Sequence, residues 1–218
     1  MISSLIMDIS GSSQADETVF NDLGWLEKEI QTWVADDGFS HVNYRMGDEL
    51  FVLSSIPHNT LFIAIYAKLL WPHNDFPLKC SYHTADIKPP ETNPEQWSHP
   101  AIKDTRESLE NIKKLTMLDF ASPDMPDEIE IPLMYATDII NGMTPLQQEV
   151  ASLRLAGMLQ RDIAAALDKT ESTVSAHYSK SRGKQLEHII KFLADYYETD
   201  IEVLNGHFTD SLKRRLKL

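Results

Sequence analysis

The chain has 218 residues and a formal net charge of −13, and 42% of its residues are hydrophobic while 24% are charged. These values are typical of a globular protein with one substantial domain and one small one, or with a single larger unit. No stretch approaches the ~20 apolar residues that a membrane-spanning helix requires, so we expect no membrane segment.

The N-terminus and the cysteine count bear on cellular location. Residues 1–17 lack the basic region and the long apolar run of a signal peptide. Cys80 is the only cysteine, which excludes a disulfide within the chain and fits a reducing compartment. The sequence therefore predicts a cytoplasmic protein.

The excess of acidic over basic residues lies in the first two thirds of the chain. Residues 1–141 contain 9 Lys and Arg against 23 Asp and Glu, whereas residues 142–218 contain 11 against 10. An acidic domain repels DNA phosphates, so any contact with DNA is expected from the C-terminal part.

The N-terminal domain, residues 1–138, is predicted to be α+β: a helix, a small antiparallel sheet of three to five strands, and a second helix. The polar residues 1–16 are predicted to be a loose end. Periodicity predicts helices at 18–34 and 99–117 and a hairpin at 39–55 that turns at 46–49. The apolar run 61–71 permits a helix, but its Ile, Phe and Tyr residues favour a strand over 61–66. The remaining predictions are strands at 78–82 and 129–135, a loop at 87–98 and a hinge at 138–142.

Residues 143–184 contain start and stop signals for three short helices. Thr144 and Gln147 fit a capping box, Pro145 suits the first helical position, and Gly157 suits a left-handed cap. A second helix is expected at about 159–167, and a third, with Val174 and Tyr178 facing inward, after the turn 168–171. Two short helices and a tight turn predict a helix-turn-helix whose second helix enters the major groove of DNA.

This segment resembles the LuxR-type (GerE-like) DNA-binding domain, without a gap from 144 to 184. The matching residues are Met143-Thr144-Pro145, Glu149-Val150, Leu153, Gly157, Arg161-Asp162-Ile163-Ala164, Leu167, Thr173-Val174 and His177. Gln147 and Gln148 replace charged residues of the family, Leu159-Gln160 replace a Ser/Thr-Asn pair, and Ser175 replaces a lysine. The resemblance implies an all-α domain that binds double-stranded DNA as a homodimer.

Small and hydrogen-bonding side chains read base edges, and cations bind phosphates. Thr173, Ala176 and His177 are the candidate base contacts. A lone histidine is more often structural, but His177 matches a family position. The other predicted DNA-binding residues are Lys180, Arg182 and Lys184 at phosphates, Gln160 and Arg161 at the DNA backbone, and Thr170, Ser172 and Ser175 at the helix start and face.

Residues 185–218 are predicted to be a helical extension with a basic tail. Leu186, Ile189 and Leu193 correspond to the helix that supports homodimerisation in the LuxR-type family. They would form a dimer seam or pack against the chain's own helices, and the sequence supports both alternatives equally. The tail at 212–218 would bind phosphate or end in solvent, again with equal support.

LuxR-type regulators often carry a ligand-sensing N-terminal domain. The fragment Gly38-Phe39-Ser40-His41-Val42-Asn43-Tyr44 is similar to the first strand of acyl-homoserine-lactone sensors, and Glu95-Gln96-Trp97 is a loose match to a second element of those sensors. The resemblance implies a small-molecule ligand or a protein partner at the N-terminal domain.

The residues give little support to an enzyme. No nucleophile elbow, phosphate-binding loop or glycine-rich fingerprint is present in the sequence. Cys80 and His83, with His73 nearby, lack the second pair of ligands that a zinc site requires. Asp36-Asp37 would be a phospho-acceptor or metal pocket, but its position after a helix favours a solvated helix end. We expect no enzymatic activity, no metal and no cofactor.

The favoured hypothesis is a sequence-specific, homodimeric transcription regulator of the LuxR type. The alternative is a protein-interaction module or anti-activator that binds RNA polymerase or another regulator, and Ser175 together with the net charge of −13 favours it. An N-terminal enzyme with a regulatory tail is the least favoured of the three hypotheses.

Overall fold

The computed structural model describes residues 1–45 and 47–218, which form two compact units, Met1–Met134 and Tyr135–Leu218. The first unit combines helices with a five-stranded mixed sheet, and the second is all helical. The predicted order, an α+β region followed by an all-helical region, is therefore confirmed. Among the described residues, no helix has both the length and the apolar character that crossing a membrane demands.

The sheet of the first unit has the strand order β2-β3-β1-β4-β5. Its elements are β1 (Ile2–Ile9), α1 (Glu17–Trp33), β2 (Ser40–Arg45), β3 (Glu49–Ser54), α2 (Asn59–Leu70), β4 (Leu78–Ala85), α3 (Pro100–Ile112) and β5 (Phe120–Ala121). All neighbouring strands are antiparallel except β4 and β5, which are parallel. The sheet is therefore mixed, whereas the sequence predicted an antiparallel one. Parallel neighbours need a crossover connection, and α3 supplies it between β4 and β5.

Four elements predicted for this unit are confirmed. The helices at 18–34 and 99–117 correspond to α1 and α3, the hairpin at 39–55 to β2 and β3, and the strand at 78–82 to part of β4. The predicted loop at 87–98 contains one short 3-10 turn, Pro94–Gln96. Met46 of the predicted hairpin turn lies outside the described residues, and Gly47 has a φ of 114°, a conformation that favours glycine.

The prediction of a loose end at residues 1–16 is wrong. β1 lies at the centre of the sheet between β3 and β4, and all eight of its residues are buried. Ser3 Oγ lies 2.5 Å from Thr60 Oγ1, and Ser4 Oγ lies 3.0 Å from Thr105 Oγ1. The serines give the segment a polar composition, but hydroxyl partners on α2 and α3 satisfy them inside the core.

The strand predicted over 61–66 is also wrong, because this segment belongs to α2. Every residue of α2 is buried. A helix that is surrounded on all sides needs no polar face, so its sequence lacks the periodicity that separates a helix from a buried strand.

The predicted strand at 129–135 and the predicted hinge at 138–142 are replaced by a helix. α4 (Asp127–Asn141) begins in the first unit and ends in the second. Pro132 lies inside it, where proline removes one backbone hydrogen bond. Buried residues nevertheless recur at helical spacing along it, namely Ile129, Leu133, Ala136 and Ile140. Their burial offsets the local cost of the proline.

A buried charged triad joins α2, β4 and the residue that precedes β5. Lys68 of α2 and Lys79 of β4 both pair with Asp119, with Nζ–Oδ distances of 2.6 and 2.8 Å. Burial by itself raises the pKa of Asp119, but the two ammonium groups outweigh this effect and hold the pKa below its usual value. A buried charge is tolerated only with such partners, so the three side chains depend on one another.

The second unit contains the end of α4 and five further helices. They are α5 (Pro145–Leu155), α6 (Gln160–Ala166), α7 (Glu171–Lys180), α8 (Gly183–Tyr196) and α9 (Glu202–Leu216). The three helices predicted within 143–184 are confirmed as α5, α6 and α7. The buried apolar residues include Val150, Leu153, Ile163, Val174, Leu186, Ile190, Leu193, Leu204, Phe208 and Leu212.

Candidate nucleic-acid interface

Side-chain caps fix the starts of α5 and α7. The backbone N–H of Thr144 donates to Gln147 Oε1 at 2.9 Å, and Thr144 Oγ1 accepts from the backbone of Gln147, which completes the predicted capping box. Thr170 Oγ1 accepts from the backbone N–H of Thr173 at 3.1 Å. Gly157 follows α5 with a φ of 81°, as its predicted left-handed cap requires.

The turn between α6 and α7 is held from both sides. The backbone N–H of Lys169 donates to the carbonyl of Ala164 at 2.9 Å. Gln160 Nε2 donates to the carbonyl of Glu171 at 2.9 Å, which joins the start of α6 to the start of α7. Gln160 therefore links the starts of α6 and α7, and its predicted contact with the DNA backbone stays a prediction.

The outer face of α7 presents small polar side chains. Ser172, Ser175, Ala176 and Lys180 are exposed, and Thr173 and His177 are half-buried. Val174 is buried on the opposite side and Tyr178 is half-buried, in line with their predicted inward direction. Apart from exposed Glu171 at its first position, α7 contains no acidic side chain, and none follows before Glu187. The rest of this face is therefore suited to an anionic partner.

The ring of His177 has one buried nitrogen. Its Nδ1 is buried, with no hydrogen-bond partner among the described residues. A buried N–H without an acceptor is rarer than an unsatisfied acceptor, which favours the tautomer with the proton on Nε2. In that tautomer, the one ring N–H of His177 is on Nε2.

The predicted phosphate-binding cations fall into two groups. Lys180 is exposed and makes no ion pair within the described part of the chain, and Arg161 makes only a 3.4 Å contact with the adjacent Asp162. In contrast, Arg182 Nη1 lies 2.8 Å from Asp138 Oδ2, and Lys184 Nζ lies 3.1 Å from Glu187 Oε2. Two of the predicted contacts are therefore already paired with carboxylates.

The corner between α7 and α8 depends on close packing at Gly183. The ring of Tyr178 is so near that a Cβ on residue 183 would lie 2.2 Å from its Cε2 atom. The guanidinium of Arg154 lies 5.5 Å from the centroid of this ring, and the Tyr178 hydroxyl donates to Glu187 Oε2 at 3.2 Å. Groups from α5 and α8 thus hold the ring, and through it the C-terminal end of α7.

The residues predicted to form a dimer seam occupy different environments. Leu186 and Leu193 are fully buried in the chain's own core, and Ile189 is half-buried. The exposed apolar residues of α8 are Phe192 and Tyr196, which are 42% and 46% accessible, with ring centroids 6.0 Å apart. Sequence reasoning missed this pair, although its spacing of four residues on a helix is a recognisable signal.

In the first unit, the fragments 38–44 and 95–97, which resemble parts of lactone sensors, are in contact with each other. His41 Nε2 and Arg45 Nε lie 2.6 and 2.7 Å from the carboxylate oxygens of Glu95. Burial raises the pKa of Glu95, but these contacts outweigh it and hold the pKa below its usual value. The carboxylate of Glu95 is thus engaged by the edge strand β2.

The candidate metal ligands do not converge. Cys80 and His83 are three residues apart on β4 and therefore point to opposite faces of the sheet. His73 Nε2 lies 2.7 Å from Asp22 Oδ2, and Ser54 Oγ donates to Asp37 at 2.5 Å. Within the described ranges, no group of three or more His, Cys, Asp or Glu side chains is placed to hold a metal ion.

A polar cavity of about 240 Å³ lies at the end of β1, where no pattern in the sequence predicts one. Asp8, Asp48, Lys79, Lys113 and the loop 9–13 line the cavity. Lys113 forms an ion pair with Asp8 and a second one, at 2.8 Å, with Glu110. Burial raises the pKa of Asp8 to about 6 against the opposing effect of Lys113, and Asp48 adds to the rise. The cavity is the candidate site for a small polar ligand.

Comparisons with models of known protein families, with curated proteins and with solved structures found no match to this chain.

Gly183→Ala is expected to destabilise the protein by about 1–3 kcal/mol, because the added methyl displaces the Tyr178 ring. Gly206→Ala on α9 is the matched control, since no atom lies within 4 Å of its added methyl. The control is expected to stabilise the helix by about 0.5–1 kcal/mol. Urea denaturation followed by circular dichroism measures both changes, and equal effects would contradict the described packing at the α7–α8 corner.

Asp8→Asn is expected to change how stability depends on pH. The pKa of Asp8 is about 6 in the folded protein against an unperturbed value of 3.8, so the folded state binds this proton more tightly. Stability is therefore lost in the wild type as pH rises through this window, and Asp8→Asn removes that loss. The melting temperature of the variant relative to the wild type should rise between pH 4 and pH 7. Asp104→Asn, at an exposed position of α3, is the control for the loss of one carboxylate. Parallel curves for Asp8→Asn and wild type would contradict the raised pKa.

Proposed function

We propose that the second unit is a LuxR-type helix-turn-helix domain and that the protein is a sequence-specific transcription regulator. In this proposal α6 and α7 form the helix-turn-helix, and α7 enters the major groove of duplex DNA. The observation that carries the proposal is the exposed face of α7, which is polar, free of acidic residues over 172–186 and held in place by capped and packed neighbours.

The exposed residues of α7 would divide the work between bases and phosphates. Thr173, Ala176 and His177 would contact base edges, because small side chains allow close approach and His177 offers one N–H donor. Lys180 and Arg161 would bind phosphates on either side. Gln160 and Thr170 would act as positioning residues, since both are used to hold the start of α7.

The protein would bind as a homodimer, because one recognition helix reads only a few base pairs and two-fold pairing doubles the contact. Phe192 and Tyr196 on the outer face of α8 are the groups that favour a seam there. Leu186 and Leu193 would support that face from the core, and half-buried Ile189 would lie at its margin.

The first unit would sense a small ligand or bind a protein partner. Its polar cavity at Asp8 supports a small polar ligand, since carboxylate, ammonium and hydroxyl groups line it together. This polar lining differs from the apolar lining that the acyl chain of an acyl-homoserine lactone would require.

A second candidate function is a protein-interaction module that binds RNA polymerase or another regulator. The pairing of Arg182 and Lys184 with carboxylates favours this second function, because the two carboxylates weaken the positive field around α7. Retention of RNA polymerase on the immobilised protein, without any shift of duplex DNA in a gel, would favour this function over the first.

Lys180→Ala is expected to weaken binding to every duplex sequence and to reduce the slope of log affinity against log salt by about 0.9, because one phosphate contact is lost. His177→Ala is expected to cost about 1–3 kcal/mol on the preferred sequence and less on others. Fluorescence anisotropy across salt concentrations measures both effects, with the exposed Lys114→Ala of the first unit as control. Affinity and salt slope unchanged in both variants would contradict the proposed interface.

Replacing both Phe192 and Tyr196 by Asp is expected to shift the protein from dimer to monomer, because two charges on each copy would face each other in the seam. Tyr135→Asp, at another exposed aromatic position of the second unit, is the matched control. Sedimentation equilibrium measures the shift, and the melting temperature checks that the fold is kept. A wild type that stays monomeric on a duplex with two half-sites would contradict the dimer.

A further inference from the structure

Two acidic side chains of the second unit pair with cations that the sequence predicts to bind DNA phosphates. Arg182 and Lys184 follow α7 directly and are two of the three cations in the acid-free stretch 172–186. Asp138, at the end of α4, binds the first of them, and Glu187 on α8 binds the second. Carboxylate and phosphate oxygens satisfy guanidinium and ammonium donors in the same way, so each acid competes directly with DNA.

The guanidinium of Arg182 is held by two acceptors of Asp138. Its Nη1 lies 2.8 Å from Asp138 Oδ2, and its Nη2 lies 3.3 Å from the carbonyl of Asp138. Both acceptors lie at the C-terminal end of α4, where the helix dipole also favours a cation. The Arg182 backbone has a φ of 56°, a left-handed conformation that costs a non-glycine residue energy.

The contact of Lys184 is looser but is of the same kind. Glu187 Oε2 accepts from Lys184 Nζ at 3.1 Å and from the Tyr178 hydroxyl at 3.2 Å. Tyr178 itself packs against Gly183, so the carboxylate is anchored at the end of α7. All four charged side chains are between 42% and 70% exposed, so the pairs are weak enough for an external phosphate to replace the carboxylates.

We propose that Asp138 and Glu187 form an autoinhibitory latch, in which their carboxylates hold Arg182 and Lys184 away from DNA phosphates. This inference rests on the proposed DNA-binding function and adds its regulation. Asp138 lies on α4, the helix that carries the chain out of the first unit. A ligand or partner that changes the conformation of α4 would therefore change the competition for Arg182.

The test compares charge-removing variants that keep the shape of each side chain. Asp138→Asn together with Glu187→Gln is expected to increase affinity for duplex DNA by about three- to ten-fold at moderate salt. The slope of log affinity against log salt should become steeper by about 0.9 for each cation released to a phosphate. The matched control is Asp195→Asn with Asp210→Asn, which removes the same net charge from exposed positions of α8 and α9.

A double-mutant cycle separates the latch from a general change in charge. In an Arg182→Gln background, Asp138→Asn should no longer increase affinity, because the cation that it releases is absent. An equal gain from the control pair, or a gain that persists with Arg182→Gln, would overturn the latch. If the wild type binds DNA and the Asp138/Glu187 variant binds no better, the latch is wrong and the proposed function stands. If neither protein binds duplex DNA, the proposed function is wrong and the latch falls with it.

Discussion

The contact between the Tyr178 ring and the backbone of Gly183 determines how α7 is presented. A Cβ at position 183 would collide with the ring, so any other residue at the junction of α7 and α8 would have to displace Tyr178. Arg154 on α5 and Glu187 on α8 hold the same ring. The direction of the exposed face of α7 thus depends on how the Tyr178 ring packs at the junction of α7 and α8.

Electrostatics adds a second constraint to this corner. The chain has a net charge of −13, and the positive charge near α7 is partly neutralised by Asp138 and Glu187. A DNA-binding surface of this kind would depend on base contacts more than on phosphate attraction, because its free cations are few. In the first unit, by contrast, opposite charges are buried together. Lys68, Asp119 and Lys79 satisfy one another where water is excluded.

The parts of the fold that the sequence predicted are those with local signals. Thr144 and Gln147 cap α5 through contacts within one helical turn, and α1 shows its buried side as a repeat of apolar residues. β1 and α2 lack such signals because neighbours surround them on all sides. Serines on β1 are paired with threonines that lie more than fifty residues away. Such partners leave no trace in the surrounding sequence.

The same distinction holds for the candidate sites. The helices of segment 143–184 and their capping residues were predictable, because capping signals and apolar periodicity lie within a few residues of one another. The pairing of Arg182 with Asp138, 44 residues earlier in the chain, was not predictable. Neither was the cavity at Asp8, since loop, strand and helix residues meet there only in the folded unit. Leu186 and Leu193 matched a helical pattern, but a pattern does not say whether a helix faces its own chain or a second copy.

The most direct test of DNA recognition by α7 is selection of bound duplexes from a random pool by the full-length protein. The proposed homodimer predicts enrichment of a two-fold symmetric sequence, with half-sites separated by about 10 base pairs or a multiple of that distance. His177→Ala should relax the preference at one position of each half-site. Recovery of the starting pool without any enriched sequence would contradict sequence-specific recognition by the second unit.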